Sequence, residues 1–213
     1  MLELPLFPLR VVLYPHMPLP VHVFEPRYQE MLRDCRDSGG RFGVVAIRAG
    51  EEVGGRAETE AIGTEAVITQ LRELPRGRSQ LLLTGGRRFR IRKLKGASPY
   101  PRAEVELVQE PEPDPAAFVL AHSAAAALRR YATSLAGITG RPPTTNRLPT
   151  EPMLLSWVVA STLIIDIRQK QRLLEQVSVG QRLRTELEML KRESTLLDLQ
   201  LANRLQIAPY GRN

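Results

Sequence analysis

The chain has 213 residues, 43% of them hydrophobic and 25% charged, with a formal net charge of +7. It is long enough to bury a core as one large domain or two small ones, and its ordinary composition excludes disordered and fibrous classes. Its single cysteine, Cys35, excludes an intrachain disulfide and a cysteine-built metal cage.

The first stretch, residues 2–28, sets Pro5, Pro8, Pro15, Pro18, Pro20 and Pro26 among Leu, Val and Phe. Each proline fixes φ and removes a donor, so short extended pieces are expected here and no long helix. Pro26 suits the first turn of a helix on which Tyr28, Met31, Leu32 and Cys35 recur at helical spacing before Gly39-Gly40. Strands are expected at 42–47 and 66–71, with an exposed glycine-bearing loop over 49–63 between them. A turn at 74–78 leads into a strand at 80–84, a break at Gly85-Gly86, and a basic strand over 87–94. The last strand, 103–108, sets Val105 and Leu107 opposite Glu104 and Glu106.

Alternating proline and acid over 110–115 cannot hold a regular hydrogen-bonded element and reads as a linker. Beyond it helices are expected. An alanine-rich helix covers 116–135; Thr150 caps a second that presents Leu154, Trp157, Val158, Ser161 and Ile165. Asp166 with Gln169, and Ser178 with Gln181, form capping pairs that restart the chain twice. The final helix repeats Leu183, Leu187, Leu190, Ser194, Leu197 and Leu201 as a heptad seam, which serves packing within the chain or, alternatively, a dimer contact. The expected division is a mostly β part over 1–109, a linker over 110–116 and a helical part over 117–213. The apolar segment 153–165 is too short for a membrane span of about 20 residues. Glu3 sits where the basic region of a signal peptide would stand. A cytoplasmic protein is expected.

Chemistry is sparse in this sequence. No phosphate-cradling Gly-x-x-x-x-Gly-Lys motif and no nucleophile elbow is present, and no catalytic residue or cofactor site is assigned. His16, His22 and His122 lack the converging partners that a metal needs, so no metal ligand is assigned either. Glu25 and Arg27 read as charge partners across a turn. Strand alternation puts Arg88, Arg90 and Arg92 on one face and Phe89 and Ile91 on the other. Flanked by Arg87, Lys93 and Lys95, that face is either paired with acids or an anion-binding surface. Aromatic platforms for single-stranded RNA are few, only Phe89 and Tyr100 lying nearby.

Leu6-Phe7-Pro8-Leu9, Leu13-Tyr14-Pro15, His22-Val23-Phe24-Glu25-Pro26-Arg27-Tyr28, Gly86-Arg87-Arg88-Phe89-Arg90-Ile91 and Gln171-Arg172-Leu173-Leu174-Glu175 together resemble the Lon N-terminal domain family. His16 stands where that family usually has glycine, so a turn with positive φ there would be mildly strained. The resemblance implies an α+β fold, with a PUA-like β-barrel-type subdomain followed by an α-helical bundle. In it Pro8, Pro15, Glu25, Pro26, Arg27 and Phe89 are structural motif residues. The ATPase and protease domains of Lon proteases are not matched, so a non-catalytic, stand-alone member is expected. The implied function is recognition of unfolded or exposed apolar polypeptide, on a concave apolar surface between the subdomains or at a free strand edge, with a protease or chaperone as a further partner. Phe24, Tyr28, Arg88, Arg90 and Arg92 are the candidate partner-binding residues. The alternatives are RNA binding through the 87–95 strand and self-association through the leucine seam.

Overall fold

The computed structural model describes residues 2–37, 40–53, 57–96, 99–142 and 147–207. Gly39 and part of the 49–63 loop, used above as punctuation, lie outside these residues.

The chain divides into two compact units: residues 1–110 with 164–175, and residues 111–163 with 176–213. The first is built on a seven-stranded mixed sheet of β1 (Leu2–Leu9), β2 (Pro18–Val23), β3 (Arg41–Ala49), β4 (Glu58–Thr59), β5 (Ile62–Glu73), β6 (Ser79–Lys95) and β7 (Arg102–Leu107). Helix α1 (Pro26–Asp37) follows β2. β1 lies parallel to β3 and antiparallel to β7; β3–β5, β5–β6, β6–β7 and β2–β6 are antiparallel. One cluster of the core gathers Phe7, Tyr28, Met31, Leu32, Cys35, Phe42 and Leu83, so the spacing of α1 does bury Tyr28, Met31, Leu32 and Cys35. A second cluster gathers Leu4, Leu6, Val45, Phe89, Ala103 and Val105.

Gly85-Gly86 does not break the strand. Residues 79–95 form one continuous β6, because a Cβ at Gly85 would stand 2.0 Å from the Tyr14 carbonyl oxygen. Glycine is needed there for close approach of two backbones. Opposite it, Pro15 and His16 form a tight turn. The Met17 N–H donates to the Tyr14 carbonyl at 3.1 Å, the His16 N–H donates to the Gly85 carbonyl at 2.8 Å, and His16 has φ 64°. Proline followed by a residue with positive φ is the pattern of a type II turn.

The linker is shorter than expected. Helix α2 (Pro115–Thr139) begins inside it, capped by Asp114, whose carboxylate accepts from the Ala117 N–H at 2.8 Å, and it ends on Gly140 at φ 69°. Helix α3 (Pro152–Thr162) is capped by Glu151, not Thr150: the Glu151 carboxylate accepts from the Met153 and Leu154 N–H groups. α3 stops before Ile165. Asp166 caps α4 (Ile167–Glu175) through the Gln169 N–H at 2.9 Å, and Ser178 caps α5 (Val179–Ile207) through the Gln181 N–H at 3.3 Å. In the second unit α5 packs on α2 and α3. It buries Leu183, Leu190 and Ser194 of the leucine seam.

The expected assignment of all helices after 117 to one bundle needs correction. α4 belongs to the β unit. Its Gln171 amide donates to the Ile62 carbonyl at 3.0 Å, the Tyr14 hydroxyl donates to the Lys170 carbonyl at 3.0 Å, and Arg88 donates to the Leu174 carbonyl. Sequence periodicity identifies the helix but carries no information about which unit its apolar face will meet.

Candidate functional site: an apolar groove beside helix α1

Glu25-Pro26 opens α1 where β2 ends, and this junction sets the geometry of the groove. Gln29 fixes the entry by donating from its amide to the Phe24 carbonyl at 3.0 Å. Arg27 pairs with Glu25 at 2.9 Å and lies over the Tyr28 ring, 4.6 Å from its centroid. Tyr28 in turn packs against Phe7, centroids 4.6 Å apart. Burial is the main reason that the Tyr28 phenol is pushed up to about 12; the carboxylates of Glu25 and Glu52 act in the same direction and Arg27 against it. Tyr28 therefore presents a neutral phenol at physiological pH.

Along this wall runs a groove of about 350 Å³, floored by Leu6, Pro8 and Pro101 and flanked by Ala57, Leu94 and the stem of Lys95. A shallower depression adjoins it, sharing Tyr28 and Glu52 and bounded by Phe24 and Val53. Three large apolar side chains stand open here, Phe24 at 51%, Val53 at 52% and Leu94 at 60% exposure. The cations on the rim are internally paired, Arg27 with Glu25, and Lys95 with Glu3 and Glu104, each at 2.9 Å, while the Glu52 carboxylate accepts from the Arg10 backbone N–H at 3.1 Å. One donor is left over. The Nε–H of Arg27 is buried with no hydrogen-bond partner among the described residues.

Of the candidate partner-binding residues, Phe24 and Tyr28 come together at this groove, while the arginines are elsewhere. Arg88 is fully enclosed, its guanidinium bonded to both oxygens of Glu110 at 2.6 and 2.7 Å as well as to α4, so it offers no surface to a partner. Alternation did place Arg88 opposite Phe89, but α4 and Glu110 cover that face at this point of the strand. Arg90 and Arg92 are exposed, and Arg92 pairs with Glu106. Arg87 is held by the buried Glu65 at 2.8 Å. Pro8 and Pro15 are buried, Phe89 is in the core, and Glu25, Pro26 and Arg27 build the α1 junction. Val53 and Leu94 were not singled out from sequence. The signal for Leu94 was an apolar residue inside a charged run, Lys93-Leu94-Lys95.

Among the described residues no cluster of three or more His, Cys, Asp or Glu is placed to hold a metal ion. Cys35 is buried and its thiol is pushed up to about 11, chiefly by burial, which makes it a poor nucleophile. No described helix is long and apolar enough to cross a membrane.

The ATP-dependent protease La (LON) substrate-binding domain family matches residues 3–192. The chain belongs to this family. As a member it is 28% identical over 212 residues to the Lon protease of Anaeromyxobacter dehalogenans, covering 98% of this chain and 25% of that protein. It is 28% identical over 202 residues to the Lon protease of Escherichia coli, covering 93% and 26%. The LON-family chain thus spans about a quarter of the length of these curated relatives. Among solved structures it is similar to the Lon N-terminal domain protein from Xanthomonas campestris, with TM-score 0.65, 26% identity and coverage of 88% of this chain and 98% of that one. The N-terminal domain of the Mycobacterium avium complex Lon protease shares the fold, at TM-score 0.66 and 21% identity.

Proposed function

We propose that this chain recognises polypeptide, taking exposed apolar segments of unfolded clients into the groove between Tyr28 and Leu94 without performing chemistry on them. Membership of a substrate-binding family supports the general role. The observation that carries the specific reading is the set of open side chains, Phe24, Val53 and Leu94, around a groove whose rim cations are already paired with acids. Such a surface favours uncharged, apolar sequence and is tolerant of its order.

The free edge of β2 is a poorer receptor. The bond from the Gly85 N–H to the Met17 carbonyl sets the phase of the β2–β6 ladder, so Leu19, Val21 and Val23 face β6 and Pro18, Pro20 and His22 face outward. Two of these outward positions have no N–H to give, which blunts the edge against strand addition. The pairing of β1 with both β3 and β7 supports reading the sheet as the PUA-like barrel type. RNA binding is disfavoured because Arg87, Arg88, Arg92 and Lys95 each hold an acid that phosphate would have to displace.

The test is fluorescence anisotropy with a labelled, permanently unfolded polypeptide. Phe24→Ala with Leu94→Ser is expected to weaken binding about tenfold through lost apolar contact, and raised salt is expected to leave wild-type binding nearly unchanged. Equal binding by the double variant would remove the groove from consideration.

A further inference from the structure

On the other side of α1 lies a second cleft of different character. It has a volume of about 420 Å³, within the range of about 300–1,000 Å³ usual for ligand sites, and belongs wholly to the first unit. Its apolar lining is Leu32, Leu71 and Leu74, and its polar lining includes the side chains of Arg33, Arg78 and Glu73.

Two exposed arginines line this cleft together. Elsewhere on the sheet many basic side chains meet carboxylates, as in Arg27–Glu25, Arg48–Glu58, Arg87–Glu65, Arg92–Glu106 and Lys95–Glu104. Arg33 and Arg78 have no acidic partner among the described residues. Each is tethered only by its Nε–H, Arg33 to the Gln29 carbonyl at 3.5 Å and Arg78 to the Pro75 carbonyl at 3.3 Å. That tether orients the guanidinium and leaves its terminal N–H groups for a ligand. Gly77, at φ 71°, lets the Gln29 amide lie close to the turn: its Oε1 would stand 3.1 Å from a Cβ there.

We infer that this cleft binds a monoanionic carboxylate carried on an apolar body, as found at the free C-terminus of a peptide ending in an aliphatic residue. A guanidinium matches the planar carboxylate fork, two of them line the cleft, and the leucines beside them take the adjoining aliphatic side chain. The leucines offer nothing to inorganic phosphate, which carries no apolar body. The site is separate from the groove at Phe24 and stands whether or not that groove takes a client.

The experiment compares two fluorescent peptides of identical aliphatic sequence, one ending in a free carboxylate and one in an amide. The acid is expected to bind about tenfold more tightly, the worth of a charge-assisted hydrogen-bond pair at a solvent-open site. Arg33→Gln with Arg78→Gln, both on exposed side chains, is expected to abolish that preference and to leave far-UV circular dichroism unchanged. N-acetyl-leucine is expected to displace the peptide and inorganic phosphate is not. Equal binding of acid and amide, no binding of either, a preference that survives the double variant, or displacement by phosphate as effective as by N-acetyl-leucine would each overturn the assignment. Phe24→Ala separates the two sites: it is expected to leave the acid-over-amide ratio intact, even if it lowers the affinity for both peptides.

Discussion

Among the described residues each unit encloses one arginine completely, and the two are held by different means. Arg88 of the β unit meets a carboxylate, Glu110, that keeps 25% of its side chain in solvent, and adds the Leu174 carbonyl of α4. Arg182 of the helical unit lies 3.5 Å from the centroid of the Trp157 ring and donates to the Ser156 hydroxyl at 2.6 Å and the Gln176 carbonyl at 2.8 Å. The carboxyl near it, Glu186, is fully buried, and burial pushes its pKa well above the ordinary 4.5 in spite of Arg182. One arginine is balanced by an ionised partner with a foot in water. The other rests on an aromatic face and neutral acceptors, beside a carboxyl that favours its proton. The β unit thus uses charge to fasten a distant segment, whereas the helical unit tolerates charge within its own packing.

The largest expected effect breaks the first arrangement. Arg88→Ala would leave Glu110 and a helix carbonyl without their donor and is expected to cost about 3 kcal/mol. Urea denaturation would measure the loss, and hydrogen exchange would locate the early opening in α4. Arg182→Ala should cost less, about 2 kcal/mol, because the Ser156 hydroxyl and Gln176 carbonyl that it leaves are neutral acceptors; a larger loss than for Arg88→Ala would reverse the comparison.

The second prediction sharpens it through pH. A raised carboxyl pKa means that the folded state holds the proton more tightly than the unfolded state. The stability due to Glu186 is therefore full below 4.5 and declines as pH rises through the higher folded value. Glu186→Gln should remove that decline, so the fall in Tm between about pH 5 and about pH 8 becomes shallower than in the wild type. An unchanged slope would mean that Glu186 is ionised throughout and that the two arginines are alike after all.

The smallest effect is local to the β unit. His16→Gly relieves positive φ at a non-glycine residue and is expected to add about 0.5–1 kcal/mol of stability, partly offset by backbone entropy. A thermal melt of the variant would measure it, and His16→Ala should show no gain.

What was legible in the sequence followed from local rules. Pro26 opening α1, the burial of Tyr28, Met31, Leu32 and Cys35, and the caps at Asp166 and Ser178 all depend on neighbours within a few residues. The strain at His16 was also readable, since a turn after Pro15 demanded a residue type that the chain does not supply. Misread features depended on distant partners. Gly85-Gly86 resembles a strand break until Tyr14 is seen passing 2.0 Å from where a Cβ would be. Arg88 resembles a surface cation until Glu110 and Leu174 close over it. The groove escaped notice because Val53 and Leu94 come from segments that only the sheet brings near Tyr28.

The chain leaves one unit for the other after Glu110, returns after Leu163, and leaves again after Glu175. A protease that cut once at the proline-rich seam would therefore not release an intact β unit, since α4 would depart with the other fragment. Residues 1–110 prepared alone would bare the Ile62 carbonyl that Gln171 satisfies, and the end of Arg88 that α4 covers. The two units are distinct in architecture yet not severable by one cut, and dissecting them calls for a graft that rejoins residues 164–175 to the strands they serve.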